Sequence, residues 1–381
     1  AVVSVFAEDG RPPAQNRRLT RTILQPAATV GDTGAALRAL VDRSYYTTET
    51  HARLRIWCTD PRAQTASAEV AGRTYSATLA PGPAARWAEL TIPLADLPAG
   101  ETAVSVTLAG PAESLPLAAG ERIVKLEDKP YGVKVDRFSS TFIVDGKPFI
   151  PYCMGIHSIG QVDRLQDIKD HGFNTICGIF SGSSTEEELK ANLPAFNRFF
   201  DECRRLGLKI IWWNAGGESY EKIRDGLLGN IAAFRDSDLI LGWYILDEPE
   251  GWWESPTRKE ADLPRFHEAV AQADPYRPNF FNYYSWKPGY GGYGGLVSSD
   301  VGSLDRYPIG RGDGMKAMDD ITRTMAADCL PIGKPVNIWL QLYGYDDAVR
   351  EATAAEQRCQ SYLCLIAGAR SLMYFIYKPM G

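Results

Sequence analysis

The sequence has little of what most functional classes require. No apolar run approaches the roughly 20 residues that a membrane-spanning helix needs. There is no basic excess: 41 Lys and Arg stand against 47 Asp and Glu, a net charge of −6, which argues against a nucleic-acid binder. The four histidines (His51, His157, His171 and His267) are scattered and no His-Glu-x-x-His occurs, so no metal cage is expected. Seven cysteines show neither CxxC spacing nor clustering. Their odd number leaves at least one thiol unpaired within the chain and the redox compartment undecided. A Gly-x-Ser-x-Gly nucleophile elbow is missing, and so is a dinucleotide fingerprint. The Gly-rich run 285–299 is followed by no Lys-Ser/Thr and marks a loop, not a phosphate cradle. No cofactor is therefore expected. Residue 1 is Ala, with no charged-then-apolar leader after it, which decides nothing about secretion.

What is present falls into two patterns. Residues 1–125 read as short strands. From His51 to Thr59, Ala52, Leu54, Ile56 and Cys58 fall on one face and Arg53, Arg55 and Trp57 on the other. Val104, Val106 and Leu108 repeat that alternation. Pro81-Gly82-Pro83, Pro98-Ala99-Gly100 and Ala109-Gly110-Pro111 supply turns. Together these predict an all-β, Ig-like sandwich in an accessory role. Residues 126–148 read as a linker with a hairpin that turns at Asp145-Gly146.

From residue 149 to 381, short apolar runs alternate with helical stretches. Strands are expected at 149–155, 173–180, 208–214, 239–247, 277–284, 300–306, 334–342 and 371–377. Helices are expected at 185–206, opened by Ser184 and closed by Gly207, and at 353–367, opened by Thr353 and closed by Gly368. The pattern predicts an α/β fold, a (β/α)8 TIM barrel whose last helix is missing, with a doubly wound sheet as the alternative.

Active sites of such barrels lie at the C-terminal ends of the strands. There the sequence places His157, Trp213 and Asn214, Asp247 and Glu248, Asn282 and Tyr283, Asp305 and Tyr307, Trp339 and Gln341, and Tyr377, with Glu218 just beyond strand three. The set is carboxylate-rich and aromatic. Six of the nine Trp fall within 207–310. Each ring has a packing reading and a sugar-stacking reading. Glu248 is the leading candidate because it follows the apolar run Leu239–Leu246 directly. Desolvation and the neighbouring Asp247 are expected to make it a useful general acid. The plainer reading is that either carboxylate caps a helix or pairs with an Arg.

Gly242-Trp-Tyr-Ile-Leu-Asp-Glu-Pro249 resembles the strand-four motif of clan A glycoside hydrolases, in which a Glu before Pro is the acid/base. Asp145–Ile150, Lys334–Trp339 and the segments Ala354–Leu363 and Gly368–Tyr374 are similar to other parts of that barrel. The resemblance covers about residues 140–381 and implies a carbohydrate substrate. Two positions depart from it. Asp247 stands where Asn is usual, and Gln341 stands where strand seven usually ends in a nucleophilic Glu. An Asp-Glu pair at this point resembles the hexosaminidases of families 20 and 123. That resemblance implies a substrate-assisted reaction on β-N-acetylhexosaminides: Glu248 as acid, Asp247 holding the 2-acetamido group, and Tyr283, Asn282 or Tyr307 binding its oxygen. A double displacement using Asp305 or Glu218 is the other catalytic route. The alternative from another class is an inactive carbohydrate-binding or structural protein on the same fold. A secreted enzyme of polysaccharide degradation, extracellular or periplasmic, is the expected setting. The oligomeric state stays open.

Overall fold

A computed structural model describes residues 37–111, 114–180, 186–214, 219–252, 262–287, 298–309, 312–344 and 349–377. Glu218, Trp253 and most of the Gly-rich run lie outside the described residues. Among the described residues seven strands come first: β1 (Leu37–Val41), β2 (His51–Cys58), β3 (Thr65–Val70), β4 (Arg73–Thr78), β5 (Arg86–Pro93), β6 (Gly100–Ala109) and β7 (Ser114–Lys125). They form two antiparallel sheets, ordered β1-β2-β5 and β4-β3-β6-β7. Both sheets feed one apolar core, to which β2 contributes Ala52, Leu54, Ile56 and Cys58, the face that alternation predicts. The opposite face of β2 carries ion pairs, among them Arg55 with Glu89 at 2.9 Å.

A small antiparallel sheet follows, β8 (Val133–Asp136), β9 (Thr141–Val144) and β10 (Lys147–Phe149). Its hairpin turns where expected. Asp145 (φ 50°) and Gly146 (φ 72°) both adopt the left-handed backbone that a tight two-residue turn requires. Val133, Val135, Phe142 and Val144 pack against Cys153, Cys177, Ile211 and Leu241 of the next unit, so this sheet seats on the strands' N-terminal ends.

That unit has eight parallel strands: β11 (Tyr152–Ile156), β12 (Thr175–Phe180), β13 (Lys209–Asn214), β14 (Ile240–Asp247), β15 (Asn279–Asn282), β16 (Gly302–Arg306), β17 (Val336–Gln341) and β18 (Ser371–Phe375). Neighbours run β15-β14-β13-β12-β11-β18-β17-β16. Tyr283 bridges to Leu304, its N–H donating to Ser303 O at 3.1 Å and its carbonyl accepting from Asp305 N at 2.9 Å. The bridge joins the two end strands, so the sheet is a nearly closed barrel and not a doubly wound sheet. Helices α1 (Leu165–Asp170), α2 (Glu186–Leu206), α3 (Tyr220–Phe234), α4 (Asp262–Ala273), α5 (Lys316–Cys329) and α6 (Ala354–Ala367) fill most of the connections. Thr353 caps α6 in a reciprocal capping box with Glu356, the start expected from sequence.

Side-chain parity sorts the barrel into two layers. Trp212, Trp243, Ile245, Phe281, Tyr283 and Leu340 belong to the core between strands and helices. Trp213, Tyr244, Phe280, Trp339 and Met373 belong to the core inside the strands. Gly155 makes room there: a Cβ at this position would lie 3.2 Å from the Trp339 ring and 2.9 Å from Tyr374 O. All seven cysteines are free thiols, and all but Cys359 are buried.

Candidate active site

Strand β14 delivers the central group. Its register on β15 shifts between Tyr244 and Leu246, a bulge that turns Ile245 and Leu246 both toward the helices. The bulge restores Asp247 to the inner layer, on the same side as Tyr244 three residues earlier. The Tyr244 hydroxyl donates to Asp247 Oδ1. A regular strand would have set the two on opposite faces.

Asp247 is in register with Asn282, the last residue of β15. Asn282 Nδ2 donates to Asp247 Oδ1 at 3.2 Å and to Asp305 Oδ1 at 2.7 Å. One amide therefore ties two carboxyl groups together. Its own oxygen accepts from Ser303 Oγ at 2.8 Å, and Ser303 Oγ accepts from Asn337 Nδ2 at 2.7 Å.

Glu248 follows Asp247 at the mouth. It is solvent-exposed, its N–H donates to Asn282 O at 2.8 Å, and its backbone sits at φ 40°, in the left-handed region that non-glycine residues rarely occupy. Such strain recurs at functional sites. Its charge reaches into the barrel, where it acts on both Asp305 and Tyr307. The exposure corrects one expectation: burial bears on the neighbouring carboxyl groups, not on Glu248.

Those neighbours are perturbed. Burial lifts the Asp247 carboxyl above the usual carboxylate range, against the pull of the Tyr244 and Asn282 bonds. Asp305, 5% exposed, is pushed well above that range by burial first and by the charges of Glu248 and Asp247 next. Glu250, 4% exposed, is pushed up to about 7 by burial. Its Oε1 accepts from the N–H groups of Tyr284 and Ser285, both at 3.0 Å. Perturbed acids converging on one end of a barrel fit acid–base chemistry.

The remaining candidates divide. Trp213, Asn282, Asp305, Tyr307 and Trp339 converge on the barrel interior and mouth. Trp213 stacks on Tyr244 at 4.9 Å, and Tyr307 stacks on Phe375 at 5.9 Å. His157 is exposed just past β11, and Asn214 is buried at the end of β13. Three candidates are placed elsewhere. Tyr283 is fully buried in the outer layer, 6.2 Å from the Trp286 ring, because it follows the inward-facing Asn282. It cannot receive an acetamide oxygen. Tyr377 turns its hydroxyl to Asp167 of α1 at 2.8 Å. Gln341 has no exposed surface and spends its amide on backbone: Oε1 accepts from Ile309 N at 3.0 Å, and Nε2 donates to Tyr343 O at 3.1 Å and Ile309 O at 3.3 Å. It is a loop clamp, not a contact surface.

Packing accounts for three of the tryptophans. Trp212, Trp243 and Trp286 are buried among helices, the last two donating to Asp274 and Asp328. Sequence reasoning passed over Tyr244, Glu250, Ser303 and Asn337. For Ser303 and Asn337 a signal existed: each lies two residues before an inward-facing candidate on its own strand, and Asn337 is polar within an apolar run.

No protein-family profile and no curated protein sequence matches the chain. Among solved structures it is similar to the β-glucuronidase of Parabacteroides merdae (13% identity, 90% of this chain and 47% of that one, TM-score 0.44). It is also similar to β-glucuronidase 2 of Bacteroides uniformis (12%, 91% and 46%, TM-score 0.49). A third is the β-glucuronidase of Ruminococcus gnavus (12%, 89% and 61%, TM-score 0.47). The chain spans about half of the first two. At these scores the likeness carries no weight for function.

Proposed function

We propose that the chain is a glycoside hydrolase acting at the C-terminal mouth of the barrel, with Glu248 as the general acid. One observation carries the reading: β14 ends by presenting an exposed glutamate, in strained backbone, beside the half-buried Asp247 and the buried Asp305, whose carboxyl groups the Asn282 amide bridges. Glu248 gives its proton to the leaving oxygen as the glycosidic C–O bond breaks.

The substrate-assisted route is favoured over a double displacement. Gln341 offers no carboxylate at the end of β17, and its amide is fully engaged. Asp305 is buried and repelled toward its neutral form, which makes a poor nucleophile and a good hydrogen-bond donor. In this reading a 2-acetamido oxygen of the substrate attacks the anomeric carbon. Asp247, steadied by Tyr244 and Asn282, holds the acetamide N–H and offsets the oxazolinium charge. Glu248 then takes a proton from the water that opens the oxazoline. Both N–H groups of Asn282 are spent on Asp247 and Asp305, so Tyr307 remains for the acetamide oxygen, and Trp213 and Trp339 line the site below. The two antiparallel sheets within residues 37–125 serve as an Ig-like accessory sandwich, residues 1–36 of the expected domain lying outside the described residues, and a polysaccharide substrate sets the enzyme outside the cytoplasm.

A chromogenic glycoside panel tests the proposal. On those panel members whose leaving groups are poorly acidic, Glu248→Gln is expected to lower kcat/KM about 10²–10⁴-fold with unchanged thermal melting. A wild-type chain that binds sugars but turns over none of the panel is instead a binding protein. A thiazoline mimic of the oxazolinium ion should bind more tightly than the parent sugar. Equal affinities would remove the substrate-assisted route.

A further inference from the structure

The acid pair at the mouth is connected to the barrel interior by three buried side chains on three strands. Asn337 on β17, Ser303 on β16 and Asn282 on β15 are each at most 2% exposed. We propose that Ser303 and Asn337 are positioning residues: through a one-way hydrogen-bond chain they fix which end of the Asn282 amide faces Asp247 and Asp305.

The direction of the chain follows from what each group can do. An amide N–H only donates, so Ser303 Oγ accepts from Asn337 Nδ2 at 2.7 Å. The single Ser303 O–H is then directed to Asn282 Oδ1, at 2.8 Å. With its oxygen held below, Asn282 turns Nδ2 upward, and the two hydrogens of that nitrogen serve two carboxyl groups, Asp305 at 2.7 Å and Asp247 at 3.2 Å. Asn337 is itself oriented, because Nδ2 also lies 2.9 Å from the Met373 sulfur, which can only accept. The inverted Asn282 amide would press its oxygen against two carboxyl oxygens in a water-poor setting, where unpaired polar contacts are costly.

The other titratable groups facing the pair come from several elements: Tyr244 on β14, Glu248 and Glu250 after it, Cys177 on β12 and Tyr307 after β16. None of these is a cation. The Asn282 N–H groups act against burial and against these charges to keep both carboxyl groups ionisable. Loss of the chain therefore moves both titrations upward.

Because this inference deepens the glycosidase reading and rests on it, its experiment needs a readout that does not depend on turnover. Infrared pH titration of the carboxylic-acid carbonyl bands provides one, with Asp305→Asn and Asp247→Asn assigning the bands. In Ser303→Ala the titration midpoints are expected to rise by about one pH unit. Ser303→Cys, which keeps a weak donor, should give a smaller rise. Asn337→Leu should also give a smaller rise, because the Ser303 hydroxyl can still reach Asn282. The acid limb of the kcat/KM profile should move with the bands while KM changes little. Unmoved bands in folded Ser303→Ala overturn the inference whether or not the enzyme is active. If that variant does not fold, unmoved bands in both Ser303→Cys and Asn337→Leu do the same. Moved bands in a chain whose wild type cleaves no glycoside would keep the positioning role and discard the hydrolase.

Discussion

Glu250 lies two residues beyond the exposed Glu248, yet its carboxyl is buried against the segment after β15. Burial raises it from the usual 4.5 to about 7. Over that interval the folded chain keeps a proton that the unfolded chain has released, so the folded state is favoured most at low pH. The advantage is lost as pH climbs through 7. A rise of that size corresponds to about 3 kcal/mol, and the raised Asp247 and Asp305 act in the same direction. Urea unfolding between pH 5 and 8 should show stability falling with pH, and Glu250→Gln should flatten part of the fall. Parallel slopes in the two proteins would show that Glu250 does not titrate as a buried acid. At this scale the sequence was partly legible. Asp247 and Glu248 stood out because charge follows directly on an apolar strand. Tyr244 did not, because a three-residue spacing reads as opposite faces until the bulge is seen. Glu250 did not, because nothing in Pro249-Glu250 tells a buried carboxyl from a loop one.

Elements were easier to read than the faces they present. All eight barrel strands and the two helices singled out lie where periodicity placed them, since buried parallel strands and capped helices leave strong local patterns. Parity at the strand ends was harder. Tyr283 and Tyr377 sit one step out of phase with the mouth, and Gln341 faces a loop that only tertiary contacts define. The Gln341 clamp joins the segment after β16 to the segment after β17 through Ile309 and Tyr343. Gln341→Glu restores a carboxylate at the end of β17, but it replaces a donor amide with oxygen facing three carbonyls. It should cost about 1–3 kcal/mol, and more as pH rises, because the new acid is buried. It should not increase turnover. A stable variant with higher kcat would revive the double displacement.

For the whole molecule, three arrangements bring the chemistry to one place. The Tyr283–Leu304 bridge joins the end strands, the β8–β10 sheet packs on one end of the barrel, and the acids gather at the other. Alternating strands and helices made the barrel foreseeable, as period-2 alternation did the two antiparallel sheets before it. The hydrogen-bond chain through β15, β16 and β17 was not foreseeable as a chain, because it joins residues far apart in sequence that only closure makes neighbours. The central claim is that Glu248 is the proton donor, and the dependence of rate on the leaving group tests it most directly. With aryl glycosides whose phenols are acidic enough to depart unprotonated, Glu248→Gln should keep bond cleavage near the wild-type rate. With poorly acidic leaving groups its rate should collapse. A loss of equal size across the whole series would contradict the assignment.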